Sequence, residues 1–230
     1  MATKGFWGRI GLFAATMMTA AFATAASAAD LSPVVKAPVQ PVTEQSPWMI
    51  RLRALGVLPM DGGNVQGVAG SNLSYSNSIT PELDISYFLT KNVALELILG
   101  TTKSNIYGQD AISSLGKIGS TWILPPTLTL QYHFTELGAF KPYVGFGVNY
   151  TFFYNTSTTN SVTSLSLQNT WGWALQAGFD YMFDKHWGIN VDVKKIFLTP
   201  SFDVGVGATT LPGQADLNPW LVAAGVTYRF

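Results

Sequence analysis

The residues of this chain that could do chemistry are a small set of charged and amide side chains. Charged residues make up only 11% of the 230 residues. The set lies in segments where polar and apolar residues alternate, so its side chains share the polar faces of strands. Opposite charges crowded on such faces are expected to pair, because an unpaired buried charge is very costly. The set comprises Arg51, Arg53, Glu82, Asp84, Glu96, Gln131, His133, Asp180, Asp192 and Lys194.

The composition restricts the functions that this chain can have. The 13 basic and 13 acidic residues give no net charge, so nucleic acid is not an expected partner. The chain has no cysteine, which excludes disulfides, cysteine-ligated metals and thiol nucleophiles. No run of about eighteen apolar residues follows the amino-terminal segment, which disfavours a helical membrane protein.

The elements that position the charged set are β-strands, and the clearest is the last one. From Trp220 to Phe230 every second residue is apolar, with aromatic residues at both ends and aliphatic residues between them. This order suits a strand that faces lipid, since aromatic rings prefer the two membrane interfaces. The ending resembles the closing strand of bacterial outer-membrane barrels, whose terminal phenylalanine is read by the barrel assembly machinery. Tyr228 and Phe230 are therefore the predicted assembly signal.

Eight segments alternate in this way, and the connections between them alternate between long and short. The predicted fold is all-β: an eight-stranded antiparallel transmembrane β-barrel with long extracellular loops and short periplasmic turns. The fourth predicted strand ends at Phe134 and contains Pro125 and Pro126. The long connections are residues 59–78, 102–117, 155–169 and 199–215, and the short ones are residues 89–92, 135–139 and 184–186.

A soluble lipocalin-like barrel is the alternative fold, because it also has eight alternating strands. Such a barrel would bury its apolar face and expose its polar face. The polar faces of this chain carry few charges and many small residues, as a lumen would, and the loop lengths alternate strictly. The pattern therefore favours the membrane barrel.

Three regions are expected along the chain. Residues 1–28 have the basic start, alanine-rich apolar run and small-residue cleavage site of a secretory signal peptide, rather than of an uncleaved anchor. Residues 29–47 are rich in proline and are expected to form a periplasmic tail whose role stays open. Residues 48–230 would form the barrel. The expected location is the outer membrane of a Gram-negative bacterium.

Several short motifs of the predicted barrel carry a family resemblance. They are Trp48-Met49-Ile50-Arg51 before a glycine-rich loop, Leu124-Pro125-Pro126-Thr127-Leu128, Lys141-Pro142-Tyr143-Val144-Gly145, Asn190-Val191-Asp192-Val193-Lys194, Asn218-Pro219-Trp220 and Tyr228-Arg229-Phe230. Taken together, these motifs resemble the OmpW family of small outer-membrane barrels over nearly all of the mature chain. The proline-rich tail is not part of the shared pattern.

The resemblance implies a monomeric, porin-like barrel whose narrow, partly hydrophobic lumen is associated with the uptake of small hydrophobic molecules. It also implies an alternative: a surface receptor, for toxins or phage, that acts through its extracellular loops without transport. The Ser-, Thr- and Asn-rich residues 155–169 favour the alternative, although this composition usually means only a solvated loop. The expected partners are outer-membrane lipid, the barrel assembly machinery and a small hydrophobic solute.

The lumen is expected to be closed by the charged set and opened at the side. An eight-stranded barrel is just wide enough for side chains to fill, so the set should form a polar plug that blocks water and ions. A solute would then enter from outside and leave through the wall. Pro125 and Pro126 are the candidate lateral seam, because proline cannot donate to a ladder and leaves neighbouring carbonyls without donors. A bulge that only shapes the barrel is the other interpretation.

Catalysis is not expected. Some eight-stranded barrels modify lipids, and such an enzyme would need a serine and a histidine close together near the outer leaflet. The two histidines, His133 and His186, both fall at the predicted periplasmic ends of strands. A metal site would also need more ligands than His133 and scattered carboxylates. We therefore predict no enzyme activity, no metal and no cofactor.

Overall fold

The computed structural model describes residues 46–159 and 162–230. The predicted signal peptide and residues 29–45 of the predicted tail lie outside the described residues. Within these two ranges the chain is mostly β-strand, with a short 3-10 helix at Ser113–Leu115. No helix in the described ranges is long and apolar enough to cross a membrane.

The described part of the chain contains fifteen strands, of which eight form a closed barrel. The strands are β1 (Trp48–Leu58), β2 (Gly63–Val65), β3 (Ser71–Tyr75), β4 (Ser78–Phe88), β5 (Val93–Gly100), β6 (Thr102–Asp110), β7 (Lys117–Leu124), β8 (Thr127–His133), β9 (Phe140–Thr158), β10 (Ser164–Leu167), β11 (Thr170–Met182), β12 (Trp187–Phe197), β13 (Ser201–Val206), β14 (Thr209–Ala215) and β15 (Trp220–Arg229).

The barrel follows the order β1, β4, β5, β8, β9, β11, β12 and β15, and β15 pairs with β1 to close it. All eight pairings are antiparallel and none of them contains a register shift. This confirms the predicted all-β, eight-stranded antiparallel barrel. It has a short-turn end, where β4 meets β5, β8 meets β9 and β11 meets β12, and a long-loop end opposite.

The alternation of residues along each barrel strand separates an apolar outer face from a polar lumen. On β1, Leu52 leaves 57% of its surface exposed, whereas its neighbours Arg51 and Arg53 leave 0% and 2% exposed. Successive strand residues point to opposite faces, so a period of two in the sequence becomes an inside and an outside. The alternation in the sequence therefore predicts correctly which residues of β1 face outward and which face the lumen.

Aromatic rings contact one another on the outer face near both ends of the barrel. At the short-turn end, Tyr228 lies 4.8 Å from Trp187 and 4.9 Å from Phe230, between ring centroids. Towards the long-loop end, Tyr150 lies 4.7 Å from Trp171. Two such belts are typical of barrels that span a bilayer.

The long connections fold into a second layer at the long-loop end, which we call the cap. The cap consists of β2, β3, β6, β7, β10, β13, β14 and the last third of β9. Strand β9 continues beyond its pairing with β8 and there pairs with β7, which leads on to β6 and β3. Strands β10, β13, β14 and β2 form a separate four-stranded sheet. The sequence predicted these connections as loops.

The fourth predicted strand is two strands in the structure. Strand β7 belongs to the cap and pairs with β6, whereas β8 belongs to the barrel and pairs with β5. Pro125 and Pro126 separate them and lie in neither strand. The physical reason is that proline carries no N–H for the ladder and fixes its own φ, so regular pairing ends at the first proline.

Candidate functional site: a polar plug and an apolar cavity

The ten charged and amide residues that the sequence predicts to face inward lie together in the lumen. Each leaves at most 2% of its surface exposed. They project from six of the eight barrel strands and are joined by ion pairs and hydrogen bonds. We call them the plug: Arg51, Arg53, Glu82, Asp84, Glu96, Gln131, His133, Asp180, Asp192 and Lys194.

Arg51 bonds to side chains of three other strands. Its guanidinium donates two parallel hydrogen bonds to Asp180, from Nε to Oδ1 at 3.0 Å and from Nη2 to Oδ2 at 2.7 Å. Its Nη1 donates to Glu96 Oε1 and, at 3.3 Å, to Ser86 Oγ. Arg51 therefore ties β1 to β4, β5 and β11 across the lumen.

Arg53 and Lys194 form the part of the plug nearer the long-loop end. Arg53 Nη2 lies 2.8 Å from Glu82 Oε1 and 2.7 Å from Asp84 Oδ2. Lys194 Nζ lies 2.9 Å from the same Glu82 oxygen and 3.1 Å from Asp192 Oδ1. Each cation is thus shared between at least two carboxylates.

Two further side chains, beyond the ten of the predicted plug, join these halves. Gln176 Nε2 donates to Glu96 Oε2 at 3.0 Å and to Asp192 Oδ2 at 2.8 Å. Tyr143 Oη donates to the same Asp192 oxygen at 2.7 Å. Space for the phenol comes from Gly178 on β11, where an added Cβ would lie 2.6 Å from Tyr143 Oη. The alternation along the strands predicts that both residues face inward, but not that they bond to the plug.

His133 lies at the short-turn side of the plug. Its Nε2 is 2.9 Å from Gln131 Oε1, and its ring lies 4.9 Å from the rings of Phe88 and Tyr143. Among the residues that the structure describes, no group of three or more histidines and carboxylates is placed to hold a metal ion. His133 therefore occupies a packed, hydrogen-bonded position within the plug.

An apolar interior begins directly above the plug. A lower cavity of about 60 Å³ has Glu82 and Lys194 at its floor and apolar walls that include Leu55 and Ile98. An upper cavity of about 70 Å³ lies within the cap, and its lining is almost wholly apolar. Ser104, Ile123 and Leu217 line both cavities and mark their junction.

The apolar lining of the upper cavity comes from the core of the cap. Leu73, Ile106, Ile118, Phe202 and Val204 are buried there, each at most 5% exposed. These residues come from both sheets of the cap. The predicted loops therefore supply the walls of an apolar chamber, because their alternating apolar residues point inward together.

Of the two predicted seam residues, Pro125 lines the lower cavity, at a break in the barrel wall, and Pro126 follows it in the chain. In the described chain, no ladder pair joins residues 99–101 to residues 124–126, and we call this break the seam. The register is the same on both sides of the seam, so an inserted residue is not its cause. Pro125 and Gly100 both line the lower cavity.

Asn149 on β9 bonds the proline carbonyls from inside the barrel. Its Nδ2 donates to Pro125 O at 3.1 Å, to Pro126 O at 3.3 Å and to Thr127 Oγ1 at 2.9 Å. The backbone N–H of Tyr150 also donates to Pro126 O, at 3.1 Å. The side chain of Asn149 thus supplies hydrogen bonds that backbone N–H groups would supply in an uninterrupted β-ladder. The sequence predicted the shortage of donors but not the residue that supplies them.

Tyr228 and Phe230, the predicted assembly signal, lie at the short-turn end. Phe230 leaves 48% of its surface exposed, and its backbone N–H donates to Trp48 O at 3.2 Å. The aromatic terminus is therefore on the outer surface and is held at the end of β1. Recognition by the assembly machinery stays a prediction.

Comparisons with known proteins agree with this geometry. A family model described as OmpW family matches residues 45–230. Uncharacterized outer-membrane protein y4mB of Sinorhizobium fredii is 54% identical over 222 residues, which cover 94% of this chain and 95% of that protein. Outer membrane protein W of Vibrio cholerae is 30% identical over 195 residues, covering 81% of this chain and 90% of that protein. The crystal structure of the outer membrane protein OprG from Pseudomonas aeruginosa has a TM-score of 0.73 at 26% identity, covering 81% of this chain and 97% of that chain.

The location and the family follow from these matches together with the closed barrel. The protein lies in the bacterial outer membrane, as the sequence predicts, with the long-loop end outside the cell and the short-turn end in the periplasm. The matched residues include all eight barrel strands, the plug and the seam. This chain belongs to the OmpW family of outer-membrane proteins.

Proposed function

We propose that the barrel admits small hydrophobic molecules from outside the cell and releases them sideways into the outer membrane. The observation that carries this proposal is the apolar interior, which extends from the cap to the top of the plug. Apolar solutes gain free energy by leaving water for such a lining. The cap and the lower cavity would therefore take up a solute that the polar surface of the outer membrane excludes.

The plug makes passage straight through the lumen unfavourable. Its ion pairs include the bonds of Arg51 to Asp180 and of Arg53 to Glu82 and Asp84, and each of these residues leaves at most 2% of its surface exposed. Separating such pairs to let a solute pass would leave buried charges uncompensated, which costs about 3–5 kcal/mol for each broken pair. A hydrophobic solute cannot replace these partners.

The seam offers the alternative exit. Strands β5 and β8 are joined on either side of it, but residues 99–101 and 124–126 carry no ladder pair between them. Widening the wall at this point therefore breaks no ladder pair of the barrel. The seam adjoins the lower cavity through Gly100 and Pro125, so a solute above the plug would lie beside it.

A reversible crosslink across the seam tests the lateral exit. Cysteines in place of Gly100 and Pro125 would face each other across the seam, and the chain has no other cysteine. We expect oxidation to lower uptake of the hydrophobic probe N-phenylnaphthylamine by cells, and reduction to restore it. The matched control places cysteines at Ala54 and Ala224, an opposed pair of the β1–β15 ladder, where oxidation should change nothing.

Two outcomes would overturn parts of this proposal. Unchanged uptake by a fully crosslinked seam would exclude lateral exit and leave the prolines as architecture. If the protein raised probe uptake neither when oxidised nor when reduced, transport would be excluded. The alternative function, a surface receptor that acts through the cap, would then be favoured.

A further inference from the structure

The polar groups at the floor of the lower cavity are placed to select the solute by its head group. Glu82 and Lys194 lie at the end of an otherwise mainly apolar lining, and each leaves at most 2% of its surface exposed. A solute with a polar end and an apolar chain would seat its polar end on this floor, because Glu82 and Lys194 are the charged groups of a lining whose other polar residues are serines and threonines, and hydrogen bonds to charged groups are the stronger ones.

The cations near this floor are already shared among several carboxylates. Lys194 Nζ contacts Glu82 and Asp192, at 2.9 and 3.1 Å. Arg53 contacts Glu82, Asp84 and, at 3.6 Å, Asp192. An anionic head group would therefore have to compete with carboxylates that the barrel holds in place.

The plug as a whole also contains more carboxylates than cations. Its carboxylates are Glu82, Asp84, Glu96, Asp180 and Asp192, and its cations are Arg51, Arg53 and Lys194. Arg229 is a fourth cation nearby, stacked 3.8 Å over the ring of Phe88 at the periplasmic side, and it does not remove the excess. His133 bonds to Gln131 rather than to a carboxylate. The cations near the floor are therefore already paired with carboxylates, and an anionic head group would add a negative charge that has no free cation there.

We infer that the lower cavity takes amphiphiles with a neutral or basic polar head, such as alkyl alcohols and alkyl amines, and discriminates against anionic amphiphiles. This inference rests on the proposed function and defines its solute class more closely. A hydroxyl or ammonium group can donate to Glu82, whose carboxylate is at the floor. A carboxylate or sulfonate would face the fixed negative charges in a site of low dielectric, where repulsion is strong.

Matched probes with one alkyl chain and different heads test this inference. The probes are octane, octanol, octylamine and octyl sulfonate, and the measurement is their entry into vesicles with and without the reconstituted protein. We expect the protein to accelerate the entry of octanol and octylamine at least about threefold more than the entry of octyl sulfonate, because the charged groups of the floor act at short range. Equal acceleration of all polar probes would overturn the inference. No acceleration of octane would overturn the proposed function instead.

Two substitutions at the floor provide a second readout that general damage to the fold would not produce. Glu82→Gln removes a negative charge and should raise the rate of the sulfonate relative to the amine. Lys194→Gln removes a positive charge and should lower the same ratio. Shifts of both variants in one direction, or no shift in correctly assembled protein, would contradict the inference.

The chain offers matched controls for both substitutions. Lys91 and Glu136 form the same type of ion pair at 3.0 Å, but their side chains are 69% and 79% exposed in periplasmic turns. Glu136→Gln and Lys91→Gln make the same chemical changes away from the lumen. Both should leave the ratio of amine to sulfonate entry unchanged, and a shift equal to that of the floor variants would overturn the assignment to the floor.

Discussion

At the scale of single residues, the stability of the plug depends on how completely each buried charge is paired with an opposite charge or a hydrogen-bond partner. Arg51 carries no exposed surface and donates to two carboxylates and one hydroxyl. Its guanidinium carbon also lies 4.9 Å from the ring of Tyr143. A planar group with several fixed donors suits these partners, and neither a lysine nor an apolar side chain could reproduce the arrangement.

The first prediction is that Arg51→Met destabilises the barrel strongly. Methionine fills much of the volume but leaves Asp180 and Glu96 buried without their cation. We expect a loss of about 3–5 kcal/mol in the free energy of unfolding, as for other broken buried pairs. Urea-induced unfolding in lipid vesicles measures it. Lys91→Met, in an exposed pair, should cost less than about 1 kcal/mol, and equal losses in the two variants would contradict the prediction.

The sequence could predict which charged residues face inward and that Arg51 and Arg53 pair with carboxylates there, but not every partner. Strand parity places Arg51 and Arg53 on the lumen side of β1, because side chains alternate along a strand. It cannot tell that Arg51 selects Asp180, which is 129 residues away on β11. That pairing depends on the curvature and closure of the barrel. For the same reason the sequence does not predict that Tyr143 and Gln176 bond to Asp192.

At the scale of elements, the break between β7 and β8 shows how a barrel accommodates consecutive prolines. Residues 124–126 have two neighbouring strands. Towards β5 they make no ladder pair, which is the seam, whereas towards β9 they accept hydrogen bonds from Tyr150 and Asn149. Thr151 Oγ1 in turn donates to Asn149 Oδ1 at 2.7 Å and fixes the orientation of the amide. The two prolines are therefore anchored to β9.

The second prediction concerns this anchor. Asn149→Leu keeps a similar volume but removes the Nδ2 donor from Pro125 O and Pro126 O. Pro125 O would keep the hydroxyl of Thr127 as a donor, at 3.0 Å, and Pro126 O would keep the N–H of Tyr150. We therefore expect a loss of about 0.5–1.5 kcal/mol in the free energy of unfolding, the net value of a typical hydrogen bond. Hydrogen exchange at the Tyr150 amide should also become faster, because its acceptor is on the released segment. Unchanged exchange at this amide would show that Tyr150 alone holds the prolines.

The third prediction concerns the short turn between β11 and β12. The backbone N–H groups of Trp187 and His186 donate to Asp184 Oδ1, both at 2.7 Å, and hold the pKa of this exposed carboxyl below its usual range. A lowered pKa means that the ionised form stabilises the turn above about pH 4, and that this contribution is lost as the pH falls below that value. We expect Asp184→Asn to be less stable than the native protein at pH 7.

The pH dependence of the difference between the two proteins checks this reasoning. Free energies of unfolding measured from neutral to acidic pH should converge below about pH 4, because the native carboxyl is then protonated and uncharged like the amide. Glu136→Gln serves as the control at another turn. A difference that persists unchanged into acid would mean that the geometry of the turn, rather than the charge of Asp184, is responsible.

The elements of the cap were harder to predict than those of the barrel. Strands β10 and β13 are short, and serine, glycine and aspartate occupy their polar positions, which is also the composition of a loop. The barrel strands carry long apolar runs on their lipid face, so their period of two is evident. Polar and apolar residues also alternate in the strands of the cap, as Leu165 and Leu167 show on β10. These strands are too short for the alternation to distinguish a strand from a loop.

At the scale of the whole molecule, the barrel and the cap are stabilised by different interactions. The barrel is closed by ladders and a polar plug, and its outer face is apolar. The cap has an inner apolar core, to which Phe202 on β13 contributes with only 5% exposure. Its ring lies over Gly213 on β14, where an added Cβ would be 2.3 Å from Phe202 Cζ. The core of the cap can therefore be weakened without breaking a ladder of the barrel.

The last prediction is that Phe202→Ala loosens the cap and leaves the barrel intact. Removing a buried phenylalanine costs about 3–5 kcal/mol, and the loss falls on the four-stranded sheet of the cap. We expect protease added to intact cells to cleave the cap faster in this variant. The barrel should keep its compact migration on gels without heating, because the pairing of β1 with β15 does not involve β13.

Val206→Ala is the control for Phe202→Ala, since Val206 lies on the same strand with 42% of its surface exposed. Its cleavage rate should stay close to that of the native protein. If Phe202→Ala lowered the heat resistance of the barrel in step with protease resistance, the cap and the barrel would unfold as one cooperative unit. In that case the walls of the upper cavity would be as rigid as the barrel, and a solute would have to enter without movement of the cap.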